Sequence, residues 1–391
     1  MNEVRHMHTE SKTVKCSLKD FFLYFLHLGT FGFGGPIALS GYMQRDLVEK
    51  KQWISKEDYV DGLALAQLAP GPLAAQLAMY LGWVRAGVWG ATLVSIAFIL
   101  PSFLMVLVIS AFYLRFGGLD WMQGMFYGIG AAVIVIIVRS SYKLVKLTLA
   151  KDWTLWVIFL INAVVTGWTE SEIIWIFLLS GVAALLIKVP PKFNKKIATF
   201  ALCPPWALQG LHGMASGTML WKILLYFATA GTFVFGSGLA IVPFMHGGVV
   251  NQYQWLTERQ FLDAIAVAMI TPGPVVITVA FVGYLVAGPL GAVMASIGIF
   301  LPTYLFVVIP APFYKRYAKN LKIKAFVGGI TASATGAIAG AAFVLGKRAI
   351  VDIPTVLIAV VTFAILFKIK KIPEPIVILL AGLAGLMLFH K

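Results

Sequence analysis

Apolar residues run along this chain in long blocks separated by short polar stretches. Together with the charges that bound them, the blocks predict membrane segments near 21–43, 59–83, 87–114, 122–146, 153–168 and 171–187. A second set follows near 220–245, 260–286, 288–313, 325–346, 350–367 and 373–390. Crossing the hydrocarbon core takes about 20 residues of helix, so the pattern predicts an all-α polytopic membrane protein with about 10–12 transmembrane segments. No room remains for a soluble domain of ordinary size.

The two sets are copies of one another. Sliding the chain by 202 positions sets Gly29-Thr30-Phe31 on Gly231-Thr232-Phe233, Phe33-Gly34 on Phe235-Gly236, Trp53 on Trp255, Asp61 on Asp263, and Pro70-Gly71-Pro72 on Pro272-Gly273-Pro274. After a one-residue shift, Gly90 falls on Gly291, Pro101 on Pro302 and Arg115 on Arg316. Shared hydrophobicity matches Leu with Ala by chance, but not this ungapped pattern of Gly, Pro, Trp and Asp. The expected organisation is a cytoplasmic tail at 1–20, a first repeat at 21–187, a linker at 188–219 that carries Pro190-Pro191 and Pro204-Pro205, and a second repeat at 220–391.

Charge bears on orientation. The basic tail places the N-terminus in the cytoplasm, and the loop with Arg139, Lys143, Lys146 and Lys151 also reads as cytoplasmic if four segments precede it. In the second copy the most basic loop, with Lys315, Arg316, Lys319, Lys322 and Lys324, corresponds to the weakly charged stretch 115–120. Equivalent loops with opposite bias point to inverted repeats. Inversion needs an odd number of crossings before the second copy, whereas six segments precede it; a re-entrant segment or a crossing within the linker would reconcile the two.

Composition agrees with a bilayer environment: 60% of residues are hydrophobic and 12% charged. The net charge of +15 comes from Lys and Arg in short loops, so it reads as membrane topology and attraction for anions rather than as nucleic-acid binding. Cys16 and Cys203 form no metal or disulfide pattern, and nothing calls for a cofactor or metal. The first 20 residues lack the apolar core of a cleaved signal.

The stretch "QLAPGPLAAQ" places a helix breaker inside an apolar block. Pro70 has no amide hydrogen and drives Ala69 from helical angles, Gly71 tolerates any angle, and Pro72 suits the first position of a new helix. A backbone freed in this way survives in a membrane only where protein or a polar cavity receives it. The break is read either as a proline kink or as an oxyanion site. In the second reading, the first amides of the new helices, Leu73, Ala74 and Ala75 in one copy and Val275, Val276 and Ile277 in the other, hold an anion. Beside it, "GTFGFGGP" and its copy "GTFVFGSG" allow close backbone approach to a helix or a ligand. The candidate binding residues are therefore Gly34, Gly35, Pro36, Gln67, Pro70, Gly71, Pro72, Leu73 and Ala74, with Gly236, Ser237, Gly238, Pro272, Gly273, Pro274, Val275 and Val276.

These motifs resemble the chromate transporter family. "FGFGGP", the Trp53-Ile54-Ser55 triplet, "ALAQLAPGPLAAQLAMYLGW", "TPGPVVITVAFVGYLVAG" and "GIFLPTYL" carry the resemblance over nearly the whole chain. It implies a bacterial plasma-membrane carrier that exports chromate, with sulfate as its chemical mimic, in the long-chain form that fuses two homologous halves. Many relatives have a His three residues after the GGP proline and some have polar residues after PGP; this chain has Leu39 and Leu73-Ala74-Ala75. Those departures leave a backbone-amide mechanism intact.

Asp61 and Asp263 each lie nine residues before a PGP proline, and are read either as carriers of a coupling proton or as acids that stabilise a helix start. Arg45, Arg85 and Arg139 are candidates to attract a dianion, against the alternative of snorkelling to the interface. His27 and His246 titrate in a useful range, but a lone His commonly meets only a hydrogen-bonding need. A sulfate or other oxyanion carrier or channel is the alternative function. A membrane enzyme is disfavoured, because the sequence has no HExxH, GxSxG, Walker A or cofactor fingerprint.

Overall fold

A computed structural model describes residues 14, 16–33, 35–116, 120–149, 152–169, 174–189, 217–233, 235–236, 238, 241–314, 320–368, 372 and 374–389. Most of the expected tail and linker lie outside the described residues.

Each repeat begins with two helical hairpins. Helix α1 (Leu18–Phe31) starts at Ser17, whose side chain accepts from the Asp20 amide, and stops at Gly32. Helix α2 (Gly35–Met43) and a π-helical turn, Gln44–Lys50, then carry the chain back. The Val14 amide donates to the Gln52 carbonyl at 2.8 Å, and the rings of Phe21 and Trp53 lie 6.3 Å apart. A continuous helix would hold Val14 and Gln52 about 55 Å apart, so the glycine stretch is a hairpin tip.

The second hairpin has the same plan. Helix α3 (Lys56–Leu68) starts at its cap Ser55 and ends at Ala69, in extended conformation. Strand β1 (Gly71–Pro72) turns the chain into α4 (Leu73–Phe116). Gly62 packs on the Tyr80 and Leu77 side chains, which places residues nine positions before and after Gly71 side by side. Helix α4 is broken at Ala86 and Gly87. Gly82 and Gly90 meet backbone to backbone across that turn, and the second arm, 88–116, runs on alone. Arg85, just before the turn, donates to the Cys16 carbonyl, so both hairpins open at the same end of the molecule.

This corrects the first two predicted segments of each copy, which were expected to cross. A helix of 14 residues such as α1 is about 21 Å long, short of the roughly 30 Å of hydrocarbon it would have to span. Glycine and proline at the tips let the chain reverse instead of continuing.

The second repeat reproduces the plan with α8 (Gly217–Phe233), β2 (Phe235–Gly236), α9 (Ile241–Met245), a π-helical His246–Gln252, α10 (Glu258–Ile270), a 3-10 turn Val275–Ile277 and α11 (Thr278–Val308). The duplication extends to the backbone angles: Gly87 and Gly288 have φ of 59° and 63°, and Gln52 and Gln254 have φ of 52° and 51°.

Three further helices complete each repeat: α5 (Asp120–Thr148), α6 (Trp153–Thr169) and α7 (Ile174–Lys188) in the first, α12 (Leu321–Ala349), α13 (Ile353–Lys368) and α14 (Glu374–Leu388) in the second. They are exchanged between repeats. Helices α6 and α7 pack on α12, while α13 and α14 pack on α5. Small residues make this possible: Gly336 and Gly340 lie against the carbonyls of Phe159 and Ala163, and Gly128 lies against that of Ala381. Lipid offers no hydrophobic drive for helix association, so close backbone packing has to supply it. A buried polar clamp adds to the first contact, where Ser333 donates to Asn162 Oδ1 at 2.7 Å.

The repeats are inverted. Gly346 approaches Ile134, whereas Ala332, fourteen residues earlier, clusters with Leu149 and Val145, so α5 and α12 run antiparallel. The second arms of α4 and α11 do likewise, with Thr92 and Tyr304 hydroxyls 2.7 Å apart. Equivalent helices related by a two-fold axis along the membrane normal would run parallel; antiparallel equivalents require an axis in the membrane plane. Lys188 and Gly217 consequently lie at opposite ends of the molecule.

Candidate functional site

The four hairpin tips meet at the centre, and they meet crosswise. β1 pairs in parallel with β2, setting Gly71 opposite Phe235 and Pro72 opposite Gly236. Reciprocally, the Gly273 amide donates to the Gly32 carbonyl at 2.9 Å. The proline tip of each repeat is thus tied to the glycine tip of the other.

Glycine is required at both proline tips. Gly71 has φ of 138° and Gly273 of 96°, a region that side chains disfavour. Space is also lacking. A Cβ on Gly71 would come within 2.8 Å of Thr303 Cγ2, and one on Gly273 would collide with Ser102 Oγ. Ser102 and Thr303 follow the equivalent prolines Pro101 and Pro302, each on the long helix of the opposite repeat. Gly238 packs on Val275 and Val276, so the glycine-rich element and the PGP half-helix of the second copy also touch.

Past each break a helix begins, but two of the early amides are already taken. The Ile277 amide donates to the Pro274 carbonyl at 2.9 Å, and because Pro72 has no N–H its parallel pairing with Gly236 runs through the Leu73 amide. The amides of Ala74, Ala75, Val275 and Val276 remain as candidate donors. Residues 71–80 are wholly buried, as are Pro272, Gly273, Pro274 and Val276. Within the first turn after β1, Gln76 donates through Nε2 to the Pro70 carbonyl at 2.7 Å. Gln76 is 0% exposed, and its Oε1 has no hydrogen-bond partner. A buried acceptor left in that state costs about 1–3 kcal/mol. The equivalent Thr278 donates to the Val275 carbonyl at 2.7 Å.

The two aspartates stand on the tip-directed arms, about 14 Å from the breaks. Asp263 is 5% exposed and accepts from the Tyr113 hydroxyl at 2.7 Å, a bond between repeats. Phe281 and Phe126 wall the Tyr113 ring. The symmetry-related pair is Asp61 and Tyr314: half-buried Asp61 lies near enough for its charge to act on Tyr80 and Tyr314. Both aspartates stand beyond the first helical turn, where the dipole fades, so helix-start stabilisation accounts poorly for them.

The remaining sequence candidates divide. Gly35 and Pro36 begin α2 beside the first glycine tip; Gly34 and Ser237 lie outside the described residues. Gln67 is exposed. Arg45 is exposed and forks onto Asp46 at 2.9 and 3.2 Å, and Arg85 serves the Cys16 carbonyl. Both sit at the open end of the first hairpins rather than at the tips. Arg139 pairs with Glu374 at 3.4 Å. His27 is exposed beside Phe31. His246, in contrast, belongs to a cluster, with Nε2 3.0 Å from Glu258 and 2.7 Å from Arg348, which itself pairs with Glu258. Among the described residues no group of three His, Cys, Asp or Glu side chains could hold a metal ion.

Gln76, Ser102, Thr303 and Tyr113 were not singled out from sequence. Gln76 alone carried a signal, as a polar residue inside an apolar block just past a helix breaker.

A family model described as Chromate transporter matches residues 19–185 and again 221–386. The chain is 58% identical to the chromate transport protein of Cupriavidus metallidurans over 375 residues, covering 95% of this chain and 94% of that one. It is 53% identical to a probable chromate transport protein of Synechococcus elongatus, with 96% of each covered. Against the chromate transport protein of Pseudomonas aeruginosa identity is 32%, over 97% of this chain and 95% of the other. No solved structure matches the chain.

Proposed function

Because the chain belongs to the chromate transporter family, a family of transporters rather than enzymes, we propose that this multi-pass bacterial membrane protein is a carrier that exports chromate across the plasma membrane, as a proton-coupled antiporter, and so confers chromate resistance. The observation that carries the reading is the crosswise meeting of two proline tips and two glycine tips between inverted repeats. Two half-helix starts then converge on one centre, and their amides and positive dipole ends suit a tetrahedral oxyanion. Inverted repeats around a central site are also the architecture of alternating access.

Energy for export has to come from an ion gradient, since the sequence has no nucleotide-binding loop. In this reading Asp61 and Asp263 carry the protons, at opposite ends of the molecule. A proton on Asp263 Oδ2 removes the charge that the Tyr113 hydroxyl bonds. The contact between repeats at that end weakens, while the related pair at the other end is untouched. Inverted membrane vesicles provide the test: labelled chromate should accumulate inside when a proton gradient is imposed, and a protonophore should abolish the accumulation. Accumulation that survives the protonophore removes proton coupling; none at all in vesicles that contain the protein removes export.

A further inference from the structure

We propose that Gln76 makes the central site selective for a protonated tetrahedral oxyanion, a monoanion bearing one O–H group, over a fully deprotonated dianion of the same shape. The inference rests on the chromate reading above and deepens it.

The Pro70 carbonyl can only accept, so the atom of the Gln76 amide that faces it at 2.7 Å is Nε2. This fixes the orientation of the amide, and Oε1 is turned the other way. There it is fully buried and unpartnered, in a side chain that packs, as Thr303 does, against Gly71 of the proline tip. The centre therefore presents two kinds of group: the backbone amides of Ala74 and Ala75 in the first turn of α4, which donate, and Oε1, which can only accept. A bare dianion has only acceptor oxygens. It satisfies the amides but sets a negative oxygen against the lone pairs of Oε1. A protonated oxyanion satisfies both, with its bare oxygens on the amides and its O–H on Oε1.

Chromate takes up a proton close to neutral pH, whereas sulfate remains a dianion far into acid. One acceptor atom thus separates two anions that shape and charge alone leave nearly alike. A site that hydrogen-bonds a ligand hydroxyl discriminates strongly against analogues without it, because its own polar group is then left unpaired. The second repeat has Thr278 in this place, whose hydroxyl oxygen is already partnered through its bond to the Val275 carbonyl, whereas Gln76 Oε1 is buried with no partner at all, so the unsatisfied acceptor is that of the first repeat.

The test is equilibrium binding of labelled chromate and labelled sulfate to the purified full-length protein, in mildly acid and mildly alkaline buffer. Wild type should bind chromate more tightly in acid and sulfate weakly in both. Gln76→Leu should lose the pH dependence for chromate, and its preference for chromate over sulfate should fall by about 10-fold or more. A purely structural Gln76 would weaken both anions together and leave their ratio unchanged; that result overturns the inference. So does wild-type protein that binds sulfate as tightly as chromate in acid, which needs no variant. Wild type that binds neither anion overturns the chromate reading itself.

Discussion

The amide of Gly273 donates to the carbonyl of Gly32 at 2.9 Å, joining the tip of the last hairpin to the tip of the first across 241 positions of chain. Its counterpart is the pairing of Gly71 with Phe235. Together they make the backbone freed by each break the partner of the other repeat, which explains why the breaks tolerate burial.

Replacing Pro70-Gly71-Pro72 or Pro272-Gly273-Pro274 with three alanines should therefore abolish oxyanion binding without preventing insertion. Each proline disfavours a helix interior by about 3 kcal/mol relative to alanine, so the variants favour a continued helix that consumes the freed amides. Chromate uptake by vesicles, normalised to protein level, is the measurement; wild-type rates in both variants would reduce the breaks to kinks.

Gly273→Ala is a milder probe of the same tip. The new methyl meets Ser102 Oγ, at a φ that favours glycine. Ser102→Gly should partly restore the thermal stability that Gly273→Ala loses, because it clears the collision while the backbone strain persists. A double variant no more stable than Gly273→Ala alone would show that the collision is not the source of the loss.

The Tyr113–Asp263 bond should be energetically coupled. Tyr113→Phe leaves the buried carboxylate without that donor, at a cost of about 1–3 kcal/mol, and should cost little once Asp263→Asn has removed the charge. A double-mutant cycle on thermal unfolding measures this directly, and additive losses would argue against the coupling. In transport, Asp61→Asn combined with Asp263→Asn should uncouple chromate movement from protons; coupling retained in that double variant assigns the protons elsewhere.

Inversion has a simple chemical test. Lys50 and Gln252 are equivalent, exposed, and at opposite ends of the molecule. With Cys16 and Cys203 replaced by serine, Lys50→Cys and Gln252→Cys should react with a membrane-impermeant thiol reagent from opposite faces. Labelling of both from the same face would mean that the repeats are parallel.

The exchanged helices should depend on glycine. Gly340→Leu or Gly128→Leu places a side chain against the carbonyl of Ala163 or Ala381, and overpacking of this kind costs about 1–3 kcal/mol. Val360→Leu, on the exposed side of α13, adds the same kind of bulk where it meets lipid and should leave the melting temperature unchanged.

Several features of this protein were written in local sequence. The long apolar blocks fix a membrane protein, the ungapped match of Gly, Pro, Trp and Asp fixes the duplication, and Pro70-Gly71-Pro72 with its copy fixes where helices stop. These signals act through the dihedral angles and hydrogen bonds of their own residues, so a single stretch suffices to read them. The course of the chain after each stop was not legible. The same glycine and prolines permit a helix that resumes its direction and one that turns back; Gly62 packing on Tyr80, and Val14 bonding to Gln52, decide for turning back. Nor could the sequence say that each proline tip would bond to the opposite repeat, that Tyr113 would reach Asp263, or that Gln76 would be left with an unpartnered oxygen. Those relations join residues brought together by two folded repeats, and the partners that offset the cost of burying most of their polar groups exist only once both repeats are in place.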